Sequence, residues 1–259
     1  MNRRPALFTV SALALLLAMF VPAFGQATGT PSDEEVKARL AFIQTALDAG
    51  RGRAGTWWYG WLGGYAAATV VQGGLAIAKA KDIRPVSDAA SDDVNGDRKF
   101  AADMLVGGAT TALGIVGMLI DPFTPLSAPG GLRALPDGTP EERLAKLQRA
   151  EELLRRCARR EREGKGLATH LLNLGVNAAA GVVTAAAFKR PWTDGLVNFG
   201  IGEAVSLLNI FTQPCRAVRD LKTYETSFPS VKGEPPPAGP ETTLTVGCFP
   251  GGLRLSLAW

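Results

Sequence analysis

Four long apolar stretches govern what this chain can become: Ala54–Ala78, Phe100–Ile120, Gly166–Phe188 and Gly195–Phe211. Each is close to the roughly 20 residues that carry a helix across a hydrocarbon core. Their small residues are spaced as helices need them. Gly60, Gly64, Ala67, Val71, Gly74 and Ala78 step by four and three, and so do Asp103, Gly107, Thr110, Gly114, Gly117 and Asp121. That spacing puts each set on one helix face. Faces without bulk let neighbouring backbones come close. The expected fold is an all-α, multi-helix bundle with Gly/Ala seams and a short C-terminal β-hairpin.

The last two stretches also carry polar stripes. His170, Asn173, Asn177 and Thr184 share one side of the first. Asn198, Gly202, Ser206 and Asn209 share one side of the second, with Glu203 beside them. In an antiparallel pair these stripes would face each other and share hydrogen bonds. Asn173, Asn177, Asn198, Ser206 and Asn209 are therefore the expected polar seam.

The ends and connections differ in composition. Residues 1–25 read as a signal peptide: Arg3 and Arg4, an apolar run from Ala6 to Val21, then Ala23-Phe24-Gly25 before the cut. Residues 26–31 are a linker, 32–226 the helical domain, 227–241 a Pro-rich linker and 242–259 a hairpin. The hairpin rests on the alternation of Leu244, Val246 and Cys248, then Leu253, Leu255 and Leu257. A capping box at Ser32–Glu35 starts the first helix, and Gly50-Arg51-Gly52-Arg53 is expected to stop it. Thr139 and Glu142 form a second box, with Pro140 at the first helical position. They open a highly charged helix edged by Leu144, Leu147, Leu154 and Ala158.

Several chemistries are excluded or weak. The net charge is +4, and losing Arg3 and Arg4 with the leader leaves +2, with no clustered basic face for nucleic acid. Ser91–Asp97 has the look of a calcium loop, but Ala102 falls where the bidentate Glu belongs. His170 is the one histidine. No metal-ligand spacing and no cofactor motif accompany it. His170 and Glu203 are the weak candidates for acid–base catalysis, and a buried structural histidine is the preferred reading. For an exported protein, a Cys215–Cys248 disulfide is expected, leaving Cys157 free.

Two readings of the apolar stretches remain. Trp57, Trp58, Tyr59 and Trp61 suit either a membrane-interface belt or the wide end of a soluble core. Four crossings behind a cleaved leader leave the Arg- and Lys-rich 121–165 outside, against the positive-inside rule. The reading adopted is an exported, membrane-associated bacterial envelope protein that acts by helix packing or partner binding. Its partner would be membrane lipid or another envelope protein. The alternative is a soluble periplasmic enzyme or ligand-binding protein with its site between 166–188 and 195–211.

Overall fold

The computed structural model describes residues 31–229 and the backbone of 243–249 and 252–258. The expected leader and most of the Pro-rich linker lie outside the described residues. The helices belong to one unit, Asp33–Trp259. They are α1 (Asp33–Ala78), α2 (Asp92–Ile120), α3 (Ala128–Arg133), α4 (Pro140–Glu163), α5 (Leu167–Val182), α6 (Trp192–Thr212) and α7 (Arg216–Ser227). A π-turn, Val183–Ala187, closes α5. The expected helical bundle is present.

The largest departure from expectation is that α1 does not stop at Gly50–Arg53. It runs unbroken for 46 residues, about 69 Å at 1.5 Å per residue. Glycine inside a helix costs about 0.5–1 kcal/mol relative to alanine, a penalty that packing on both sides can outweigh. Here Ile43 and Leu47 are buried before the glycines, and Ala54, Trp57 and Trp58 after them. The small residues also fit their neighbours: a methyl group at Gly50 would stand 3.7 Å from Arg216 Cδ, and one at Gly55 3.7 Å from Leu126 Cδ2.

The first half of α1 joins α3, α4 and α7 around an aliphatic core that includes Val36, Ile43, Leu132, Leu147, Leu154 and Leu221. α4 starts as its sequence dictates. The Glu142 backbone amide donates to Thr139 Oγ1 at 3.2 Å, and Glu142 Oε2 accepts from the Thr139 amide at 3.0 Å. Inside this core sits a buried polar triad. Arg39 Nε donates to Tyr224 Oη at 2.8 Å, and both Arg39 and the Tyr224 hydroxyl bond Glu151. All three side chains are buried, which ties α1, α4 and α7 together. Glu161 does a second job in the same core. Its carboxylate accepts from the Val218 amide at 3.0 Å, capping α7, while Gln213 Nε2 donates to its carbonyl at 2.9 Å.

The second half of α1 pairs with α2, and α5 pairs with α6. Thr69 Oγ1 donates to Thr111 Oγ1 at 2.9 Å across the first pair. The face of α1 that meets α2 carries Tyr65, Thr69, Gly73 and Ala76. The expected stripe Gly60, Gly64, Ala67, Val71, Gly74 and Ala78 is exposed instead. The two pairs join at three levels. Trp57 Nε1 donates to the Asn209 carbonyl at 3.2 Å and Trp61 Nε1 to Thr212 Oγ1 at 3.0 Å. Ala102, Val106, Ala180 and Phe188 cluster near the other end. There Arg190 bonds Asp103 of α2 and, at 2.9 Å, Asp194 of α6. Lys189, at φ 52°, makes the left-handed turn that delivers it. Ser91–Asp97 is the opening of α2 and not a loop.

Removing one member of a buried ion pair leaves the other uncompensated, a loss of about 3–5 kcal/mol. Arg39→Met should therefore lower the melting temperature sharply, whereas Lys37→Ala, at an exposed pair, should leave it unchanged. Glu161 supplies a pH test. Burial raises its carboxyl above the ordinary 4.5, with opposing help from the Val218 and Ala217 amides. A raised folded-state value means the folded chain holds the proton longer, so stability rises as pH falls to about 4.5 and levels off below. Wild type should gain on Glu161→Gln over that interval. A constant difference between pH 7 and 4.5 would refute the assignment.

Candidate functional site

The polar seam is built by the closest approach of α5 and α6. A methyl group at Gly181 would stand 2.7 Å from the Gly195 carbonyl oxygen, and one at Gly195 2.5 Å from that of Gly181. Neither position has room for a side chain, so the backbones come together there. Four residues before Gly181, Asn177 lies on the same face and is 6% exposed. Its amide uses both hydrogens across the pair, donating at 3.0 Å to Glu203 Oε2 and at 3.0 Å to Ser206 Oγ. Gly202 makes space for this, because a methyl there would lie 2.5 Å from Asn177 Oδ1.

The other expected seam residues contribute less. Asn173 Nδ2 turns back to the Thr169 carbonyl of its own helix at 2.9 Å. Asn198 is half-buried. Asn209 lends its carbonyl to Trp57, and its side-chain nitrogen is buried without an acceptor. His170 lies against Phe211, ring centroids 6.3 Å apart. It is seven residues from Asn177, about 10.5 Å along the helix. Glu203 bonds Asn177, so His170 and Glu203 are two turns apart and do not form a hydrogen-bonded acid–base pair. Chemically the seam is a set of hydrogen bonds holding two helices, with one carboxylate among amides and a hydroxyl. Among the described residues no His, Cys, Asp and Glu cluster is arranged to hold a metal ion.

Cys157 is buried, and its thiol is pushed up to about 12, chiefly by burial and further by Glu161. Cys215 is exposed and not bonded to Cys157. The side chain of Cys248 lies outside the described residues.

Sequence reasoning singled out the tryptophans where α1 leaves the charged core, but not the grooves beside them. Two grooves flank α1 there. One, about 540 Å³, is lined by Asp48, Arg51, Tyr59 and Arg133. The other, about 480 Å³, is lined by Arg53, Trp57, Gly60, Trp61, Gly64 and Thr212. Neither contains His170 or Glu203. The signal was present as two arginines one to two turns before three tryptophans.

No family model, curated protein or solved structure matches the chain. Among the described residues three helical runs are long and apolar enough to cross a membrane: Asp92–Ile120, Leu167–Ala187 and Trp192–Ser227, the last taking α6 and α7 together. They fit a membrane-associated helical protein. The apolar half of α1 is not among them, since its tryptophans, tyrosines, glycines and Gln72 dilute its aliphatic residues.

Overpacking the seam should loosen it. Gly181→Leu should cost on the order of 1–3 kcal/mol, read as a lower melting temperature. Gly175→Leu, where the glycine faces open space, should leave melting unchanged. Equal melting of the two variants would refute the close approach.

Proposed function

We propose that this is an exported membrane protein of the bacterial envelope that acts by helix packing and partner binding, not by catalysis. The observation that carries the membrane reading is where the apolar side chains face. Every exposed large hydrophobic among the described residues lies on the second half of α1, on α2, or on α5 and α6 with their connecting turn; α3, α4 and α7 contribute none. Only 17%, 28% and 17% of the most apolar part of the three candidate spans is buried. Lipid is the solvent that such surfaces require. The hydrogen bonds that Asn177 makes to Glu203 and Ser206 support a packing role over a catalytic one.

Four crossings follow from three. α2 begins at the end where Arg190 meets Asp103 and finishes at the end of the charged core. Arg39 of α1 bonds Glu151 and Tyr224 in that core. The second half of α1 must therefore cross with the others. Trp57, Trp58 and Trp61 then lie at the boundary, as interface aromatics do. A cleaved leader places the charged core on the outer side, where Arg39, Arg143, Lys146, Arg155 and Arg160 are already neutralised by acids. The C-terminal hairpin belongs to the same proposal, supported by the antiparallel register of Thr243–Phe249 on Gly252–Ala258.

Carbonate washing should leave the protein in the membrane fraction, and detergent should release it. Release without detergent would restore the soluble alternative. Orientation is tested with single cysteines in a background lacking Cys215 and Cys248, because Cys157 stays silent towards thiol reagents while folded. Glu141→Cys should react with an impermeant maleimide on spheroplasts, and Asp88→Cys only after lysis. The opposite pattern would place the charged core in the cytoplasm and overturn export by a cleaved leader.

A further inference from the structure

We infer that the groove beside Trp57 and Trp61 is a binding site for one anionic phospholipid, with Arg53 holding the phosphate. The inference rests on the membrane reading above and adds a ligand to it. Its floor is Gly60 and Gly64, at which an added methyl group would meet nothing within 4 Å. Its walls are indole rings, and Thr212 of α6 closes the far side, held by the hydrogen bond from Trp61 Nε1 at 3.0 Å. That bond and the one from Trp57 to Asn209 fix both indoles on α6, so the walls are set before any ligand arrives.

Charge selects the occupant. Arg53 is exposed and has no hydrogen bond or ion pair among the described residues. No carboxylate lines the groove. Nearby, Asp48 is engaged by Arg133 at 2.7 Å and Asp121 by Arg160 at 2.8 Å, so the local acids are already committed. Arg51, two positions away, points to the neighbouring groove on the other side of the helix, so Arg53 is the one charged residue lining this groove. The cation stands one turn above Trp57, at the level where the chain changes from charged to apolar. That is where a headgroup phosphate lies when aromatic residues mark the interface. Below it, the exposed positions Gly64, Ala67, Val71 and Gly74 continue the groove along α1 into the apolar zone. An acyl chain lying there would cover backbone that has no side chain to cover it. A guanidinium pairs with phosphate through two parallel N–H donors, which a lysine could not match.

The test is native mass spectrometry of the full chain released from membranes in mild detergent. Equal amounts of phosphatidylglycerol and phosphatidylcholine with identical acyl chains are added. Wild type should retain one phosphatidylglycerol in preference to phosphatidylcholine. Arg53→Gln should reduce that preference about fivefold, the effect of one basic residue at an anionic surface, while Arg219→Gln, on exposed α7, should not. Gly60→Leu should fill the groove and lower retention of both lipids. Because that leucine meets open space, unchanged melting would confirm that the variant folds. A membrane-embedded protein whose lipid preference is the same with and without Arg53 would overturn the site and leave the membrane reading intact. A protein that needs no detergent would overturn both. A dimer broken by Gly60→Leu would assign the groove to a second copy and also overturn the lipid site.

Discussion

Helix α1 is asked to satisfy two solvents along one axis. Its first half buries Val36, Ile43 and Leu47 against α4 and α7, as a helix in water must. Its second half leaves Val70, Val71 and Ile77 facing outward, as the proposed membrane reading requires. Because the helix is unbroken, the two regions cannot turn independently. The direction of the charged half fixes the direction of the apolar half, and the reverse. Trp58, stacked on Phe123, and Trp57, tilted against it, fill the point beneath Arg160 where the charged half gives way to the apolar one.

Polar groups inside the apolar part are few and are used to fix relative position. A buried amide that loses its partner costs about 1–3 kcal/mol, so each pairing disfavours alternatives. Asn177 with Glu203 and Ser206 sets the register of α5 on α6. Thr69 with Thr111 does so for α1 on α2. Arg190, between Asp103 and Asp194, then joins one pair to the other. The glycines at 181, 195 and 202 work with these bonds, since donors and acceptors on two backbones meet only when nothing stands between them.

Much of this was legible before the structure. Periodicity located α2, α5 and α6, and the capping residues located the start of α4, because both are local properties of the chain. The facing of α5 on α6 through Asn177 and Ser206 was readable from two stripes joined by a short turn. What was not readable depends on distant partners. The glycines at 50 and 52 are strong local breakers, and packing on both sides, against α4 and α7 before them and against Met118 and Phe123 after them, keeps α1 helical through them. The stripe from Gly60 to Ala78 showed a face, but not whether that face would meet protein or lipid. His170 shares a stripe with Asn177, yet two helical turns separate it from Glu203. Glu151 was readable in hindsight: it sits between Leu147 and Leu154 on the buried edge of its helix, where an acid must have a partner.

The buried triad also imposes an order in time. Arg39 and the tyrosine it bonds are separated by 185 positions in the chain. At synthesis rates of 5–20 residues per second, the arginine emerges roughly 10–40 s before its phenol partner exists. Glu151 follows the arginine after 112 positions, so the triad is completed in two stages and the phenol is its last member to arrive. The core around the first half of α1 thus stays incomplete until α7, the last of the described helices, has been made.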